Sequence, residues 1–377
     1  MKLFSKQLQV SKLTNIMTGT ADRLGVWYAK TRNAKKLGSP KVKLVAIAKD
    51  ESAYLTDWIF HHLHFGFDEL VIYINNTTDN SSEIVSNLKD LSGIKFKNGD
   101  PYFLNSKRSP QMAIYQNELS RSRWQGYSHV MFLDIDEFYT PLDFRLSIKD
   151  FIGGMWAEVC CLEWIHKMDE RMPFLEPFQE RIIGRRAQQV KSIVATTVLP
   201  SNANPHNMLS AKSCYQLADG TAFQVCLENF SRVPLGELKK DIKQAFVLHR
   251  MVRSEIEYVA ALKRGRPMTE AKQGSMFKNN RSGTFDNLKN LSIEFPSSSV
   301  KHYLSQKKLF INKYNLNEQI EKGKRLVLER YSNVLHMIRV APQSEYATLQ
   351  KVLKNVELKD VEEAYKEYLK HNSSGKL

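Results

Sequence analysis

An α/β fold built on a mostly parallel sheet is what this sequence predicts, and three observations predict it. Short apolar runs alternate with amphipathic helical stretches between Lys43 and Leu133. Polar segments follow the runs, and the third run ends directly in a cluster of acids. Continuous apolar runs suit strands buried on both faces, the state of parallel strands covered by helices. Strand–helix alternation then implies right-handed βαβ units, whose post-strand loops gather at one edge of the sheet. That edge is where open α/β sheets bind ligands.

The first strand is Lys43 to Ala48, followed by Asp50, Glu51 and Ser52 as helix-starting residues. Leu55, Ile59 and Leu63 recur at i, i+4, i+8 and give the next helix one apolar face. Leu70 to Ile74 is the second strand, leading into the polar run Asn75 to Ser82. Ile84, Val85, Leu88 and Leu91 continue at helical spacing. A helix from Pro110 to about Trp124 starts with its proline in the first turn, where the missing N–H costs nothing. Val130 to Leu133 is the third strand and runs into Asp134-Ile135-Asp136-Glu137. Beyond Asp143, Val159 to Trp164 and Ile193 to Val198 read as strands, 271–295 as a loop, and the stretch from Ser305 as helices rich in Lys and Glu. The implied division is a basic segment 1–40, an α/β domain 41–270 and a loop plus helical extension 271–377.

Composition narrows the class. Hydrophobic residues at 42% and charged residues at 25% are those of a globular protein. No apolar run reaches the length of a membrane span, and the first residues lack the core of a secretory signal, so a cytoplasmic location is expected. The four cysteines form no C-x-x-C pair, which fits a reduced compartment. The formal net charge of +15 is uneven. Residues 1–40 hold eight Lys and Arg against the single acid Asp22, and Leu3, Val10, Leu13 and Met17 share a helical face. Such a segment fits peripheral contact with an anionic membrane surface, or a solvated tail. Charge alone does not make a nucleic-acid binder, and no recognition-helix, zinc-finger or aromatic RNP pattern is present.

Asp134 and Asp136 carry the most chemistry. Residues i and i+2 of a strand or turn point the same way, so both carboxylates can face one divalent cation. Oxygen ligands suit Mn2+ or Mg2+. A polar turn with its acids in solvent has the same local sequence.

The surrounding residues resemble GT-A glycosyltransferases, in particular a family 92-like and family 2-like bacterial group. The likeness runs through Val45 to Glu51 ("AIAKDE"), Tyr54 to Leu63 ("YLxEWIxYH"), Gly66-Phe67-Asp68, Tyr73 to Ser81 ("YDNNSTDNS"), the helix with Gln111, Tyr115 and Asn117, and Phe132 to Phe138 ("FLDIDEF"). Weaker matches follow at Glu180-Arg181, Lys191 to Val194, Pro205-His206, and His249 through Arg253 to Gly265. Three positions depart from the pattern: Ile74, where many relatives carry Asp, Arg250, where they carry Tyr, and Arg253, where they carry Lys.

The resemblance implies a metal-dependent transfer of a hexose from a nucleotide sugar, a UDP-sugar, to a glycan or glycolipid acceptor such as a bacterial surface polysaccharide or lipopolysaccharide, with inversion. The backbone of Ala46 to Ala48 would line the base, Asp50, Glu51, Asn75, Asp79 and Gln111 would surround the nucleotide, and Arg253 and Lys263 would lie on a helix near its diphosphate. His249 would complete the metal site, with His206 as competitor. Asp169 and Glu170 would supply the general base, ahead of Glu163 and Glu228. A non-catalytic nucleotide-sugar or glycan binder on the same fold is the alternative.

Overall fold

The structure is a computed structural model and describes Val26 and residues 39–105, 109–167, 172–263, 275–284 and 291–373. The basic segment 1–40 and the membrane contact expected of it fall almost wholly outside the described residues, as do Asp169 and Glu170.

The first half of the fold follows the expected alternation. Strands Val42–Ala48 (β1), Glu69–Ile74 (β2), Ile94–Asn98 (β3) and His129–Phe132 (β4) are parallel, in the order β3-β2-β1-β4. Helices Ser52–His64 (α1), Ser81–Asn87 (α2), Asp100–Asn105 (α3) and Pro110–Gln125 (α4) connect them. Alternation along β1 sends Leu44, Ala46 and Ala48 into the core beneath α1, while Val45 joins the opposite core beneath α4.

The second half is mixed rather than parallel. After the acidic turn come Glu137–Pro141 (β5), the helix Ile148–Gly153 (α5), Val159–Lys167 (β6) and Arg181–Ala195 (β7). β7 is antiparallel to both β4 and β6, and it extends the sheet as β4-β7-β6. A small hairpin, Asn202–Ala203 (β8) with Met208–Leu209 (β9), precedes Tyr215–Leu217 (β10) and Ala245–His249 (β11). β10 and β11 both pair with β6, at its start and its end, and β11 pairs antiparallel with β5.

Helix Glu255–Leu262 (α6), strand Leu291–Glu294 (β12) and helices Ser297–Lys313 (α7), Asn317–Arg339 (α8), Tyr346–Val352 (α9) and Lys359–Ser373 (α10) complete the described chain. β12, inside the expected loop, pairs with β7. The C-terminal helices are not a detached appendage: Val327, Val334, Ile338, Leu349 and Tyr368 share the core that contains α1.

α8 approaches the first turn of α1 so closely that only glycine fits. A Cβ on Gly323 would lie 2.7 Å from both Ser52 Oγ and the Ala53 backbone nitrogen. Gly323→Ala is therefore expected to lower stability by about 1–3 kcal/mol through overpacking, read as a reduced midpoint in urea. An unchanged midpoint would mean that α8 is free to slide off α1.

α1 also buries imidazoles. His61 faces the Tyr139 carbonyl (2.7 Å) and the Tyr303 hydroxyl (3.2 Å). His62 faces the Trp58 carbonyl at 2.8 Å. Burial drives His61 well below the usual range and His62 down to about 3. Both are neutral in the fold, whereas unfolded imidazoles titrate near pH ~6.5. Between those values the unfolded chain binds more protons, so stability must fall as pH drops from about 6.5 toward 3. The check is the urea midpoint against pH, and a flat profile across that window would contradict the assignment.

Candidate active site

Parallel registration brings the ends of β1, β2 and β4 to one edge, and the segments leaving them carry Lys49, Asn75 and Asp134. A cavity of about 710 Å3 opens there, also lined by Glu51, Gln111, Asp136, Trp164, Lys191, His206 and His249.

The acidic turn is held from behind. Trp58 Nε1 donates to the carbonyls of Asp134 (3.0 Å) and Glu137 (2.9 Å), and the Asp134 N–H donates to Glu137 Oε2 at 2.9 Å. Glu137 is fully buried at the start of β5. Lys191, reaching in from β7, lies 2.8 Å from Glu137 Oε2 and 3.5 Å from Asp134 Oδ2. Burial pulls the Lys191 ammonium toward neutrality, but Asp134 and Glu137 more than reverse this and keep it charged. Gln111 reaches Asp134 Oδ1 at 3.4 Å and the Tyr115 hydroxyl at 2.9 Å. The Asp134 side chain, 43% exposed, still opens into the cavity.

The β5–β11 register sets His249 opposite Glu137 and so beside Asp136. His249 Nε2 lies 3.5 Å from Asp136 Oδ2, and its Nδ1 lies 3.1 Å from His166 Nδ1. The Trp164 ring stacks on His249, centroids 4.1 Å apart, and meets His206 edge-on at 5.0 Å. Burial lowers the His249 pKa against the pull of Asp136. Burial pushes the Asp136 carboxyl up, yet His249, Arg253 and Arg281 hold it well below the carboxylate range.

Among the described residues there is no ready-made group of three or more His, Cys, Asp or Glu side chains closed around one point. The donor chemistry nevertheless fits a hard divalent cation: the Asp136 carboxylate faces the His249 imidazole, and a second carboxylate opens into the same cavity. Four lining residues carry a buried polar atom with no hydrogen-bond partner among the described residues: Asn75 Oδ1, Trp164 Nε1, His206 Nδ1 and Lys191 Nζ, the last held by its ion pairs alone. Orphaned polar atoms cost free energy, and their gathering at one cavity marks a place built for a polar ligand.

Several expected residues have other work. The Ala46 and Ala48 side chains point into the core beneath α1 and leave only their backbone for a base, while Ile47 between them lines the cavity. Asp50 (φ 52°) accepts hydrogen bonds from Thr78 N and Oγ1, tying the β1–α1 loop to the β2–α2 loop. Asp79 accepts from Ser52 N and Ser81 N, capping α1 across the loop and starting α2. Arg253 precedes α6 rather than lying on it: its φ is 63°, and Ser254 is the N-cap. Buried there, Arg253 covers the Tyr54 ring at 3.5 Å and pairs with Glu51 at 3.3 Å. Lys263 is exposed at the C-cap of α6 and does not line the cavity. Glu163 Oε2 is committed to Arg186 at 2.6 Å and its Oε1 to Lys243 N at 3.1 Å, and neither Glu163 nor Glu228 lines the cavity.

Sequence reading passed over Trp164, Lys49, Lys278 and Arg281, which line the cavity, and used Lys191 only as part of a motif. A lone lysine among the apolar residues of Val190 to Ala195 was the available signal, since a buried cation requires a buried partner.

Solved structures with related shapes include S. aureus TarS 1–349 in complex with UDP (19% identity over 37% of this chain, TM-score 0.23). This chain spans 38% of that protein's length. A second structure of S. aureus TarS 1–349 aligns over 89% of this chain and 92% of its own at 14% identity and TM-score 0.28. HddC from Yersinia pseudotuberculosis aligns over 55% and 92% at 10% identity and TM-score 0.30. No protein of curated function matches the sequence. The match that does hold at the level of sequence stops short of Lys191, His206 and His249, but it takes in β1 through β6, the acidic turn and Trp164: residues 45–167 match the model of glycosyltransferase family 92 and form a family 92-like region.

Proposed function

We propose that this chain is a metal-dependent glycosyltransferase that moves a hexose from a UDP-sugar onto a glycan acceptor, a bacterial surface polysaccharide or lipopolysaccharide, with inversion. The observation that carries the reading is the Asp136–His249 pair, in contact across 3.5 Å and facing the same cavity as Asp134, with both acids inside the family 92-like residues 45–167. Asp134, Asp136 and His249 would hold Mn2+ or Mg2+, with phosphate oxygens and water completing the shell. The bound cation supplies charge stabilisation to a departing nucleoside diphosphate.

The chain's own groups then divide the labour. Asn75 and Ile47 lie where the β1 and β2 ends would receive the base. Lys49, Lys278 and Arg281 line the cavity and bring positive charge to a diphosphate. Lys191 and Gln111 orient the Asp134 carboxylate. Each described carboxylate of the cavity is already faced by a partner: Glu51 by Arg253, Asp134 by Lys191 and Asp136 by His249. The general base therefore comes from elsewhere, and Asp169 and Glu170, just beyond the end of β6, are the proposed source. No helix among the described residues is long and apolar enough to cross a membrane; a cytoplasmic location with peripheral contact through the basic residues 1–40 is part of the proposal.

The test is release of UDP from UDP-galactose, UDP-glucose and UDP-N-acetylglucosamine with manganese present. One donor is expected to turn over and EDTA to stop it, while inert protein across the panel would refute the reading. The two histidines separate in the same assay. His249→Ala is expected to raise the manganese requirement by at least about tenfold, the scale of disturbing a metal's surroundings. His206→Ala should move it less, and the reverse order would reassign the ligand.

A further inference from the structure

A second cavity, of about 660 Å3, lies at the other end of β6. Its wall includes Trp156, Tyr215 and Phe223, with Ser210, Ser213 and Gln224 between them. No charged residue lines it among the described residues, in a chain where a quarter of all residues are charged. An anionic or cationic ligand would meet no counter-charge there, so the chemistry selects a neutral one.

Trp156 is the feature that names the ligand class. Its side chain is 56% exposed, yet its indole N–H donates to the Gly220 carbonyl at 2.9 Å and its backbone N–H to Gln216 Oε1 at 2.9 Å. A large apolar ring held rigid in solvent forms a platform with little conformational entropy left to lose on binding. Flat aromatic faces beside serine hydroxyls and a glutamine amide match a pyranose, which offers an apolar C–H face and a hydroxyl rim.

The β8–β9 hairpin joins this groove to the cavity at the sheet edge. Ser201 and Leu209, at the feet of the hairpin, line the groove, while Pro205 and His206 at its tip line the active-site cavity. The tip is pinned by Asn204 Oδ1, which accepts from His206 N (2.9 Å) and Asn207 N (3.0 Å). The feet are pinned by the Tyr215 hydroxyl, which accepts from Ser210 N (2.7 Å) and donates to the Met208 carbonyl (2.8 Å). Three extended residues separate the two cavities along the hairpin, about 10 Å, a step of a few sugar units.

We infer that this groove is a distal acceptor subsite, binding a neutral stretch of the glycan chain whose end is extended in the active-site cavity. The inference rests on the glycosyltransferase reading and adds the charge class of the acceptor and the residues that hold it.

Fluorine NMR of the full chain labelled with 5-fluorotryptophan tests both claims separately. The chain has five tryptophans, and spectra of Trp156→Phe and Trp164→Phe assign the two reporters. UDP with manganese is expected to shift the Trp164 resonance, and its failure to do so counts against the donor reading alone. Neutral hexasaccharides of glucose, galactose, mannose and N-acetylglucosamine are the probes for the groove, with hexagalacturonate as the anionic control. At least one neutral hexasaccharide should shift Trp156 while hexagalacturonate does not, and Trp156→Ala should weaken its binding about tenfold by calorimetry, the equivalent of one stacked ring. A Trp156 resonance that ignores every neutral hexasaccharide, or follows hexagalacturonate as well, overturns the subsite.

Discussion

Asp136→Asn should abolish transfer, lowering kcat/KM by on the order of a thousandfold, the effect of removing a group that acts on charge developing in the transition state. The substitution keeps the shape of the side chain and removes the charge that faces His249, Arg253 and Arg281. The carbonyl of Asp136, which accepts from Arg250 N at 2.8 Å, is untouched, so the junction between the acidic turn and β11 stays in place. The expected pattern is lost turnover with a urea midpoint close to that of the parent. Turnover within a few fold of the parent would remove Asp136 from the chemistry.

Lys191→Met should have the largest effect on stability. Lys191 is 1% exposed and pairs with Asp134 and with Glu137, whose carboxyl burial pushes up to about 8 against the pull of Lys191. Removing one partner of a buried ion pair leaves the other uncompensated and costs about 3–5 kcal/mol. Because methionine fills similar volume, the loss reads as electrostatic rather than as a cavity. The double variant Lys191→Met with Glu137→Gln should recover part of it, since the stranded carboxylate is gone. Denaturant unfolding of the parent and the two variants measures this at pH ~9, above the value of about 8 where Glu137 ionises. A single variant as stable as the parent would show that Glu137 is neutral in the fold and that Lys191 compensates nothing.

The first half of the fold was legible because its signals are local. Apolar runs such as Leu70 to Ile74 and Val130 to Leu133 have few other uses, and Pro110 marks the start of α4 as read. The second half was not, because its order depends on pairing between distant segments. Nothing local in Ala245 to His249 says that it lies between β5 and β6, and that placement is what brings His249 to Asp136. β3 escaped notice because Ile94 to Asn98 alternates with lysines at the edge of the sheet instead of forming an apolar run. At the site, residue type was readable and direction was not. Asp50 and Asp79 look like nucleotide ligands in sequence, yet they spend their oxygens on backbone N–H groups of the loops they hold together. Lys191 was hidden because a buried ion pair is a tertiary fact: its partners sit on a turn more than fifty residues earlier in the chain.

The central claim is that Asp134, Asp136 and His249 make the cavity a metal-dependent nucleoside diphosphate site. Calorimetric titration of UDP into the full chain tests it most directly, with manganese, with EDTA, and with Asp136→Asn in manganese. Binding is expected with manganese, weakened by at least about tenfold, or ~1.4 kcal/mol, in EDTA, and weakened to the same extent in the variant. UDP affinity that is equal in all three titrations would contradict the account.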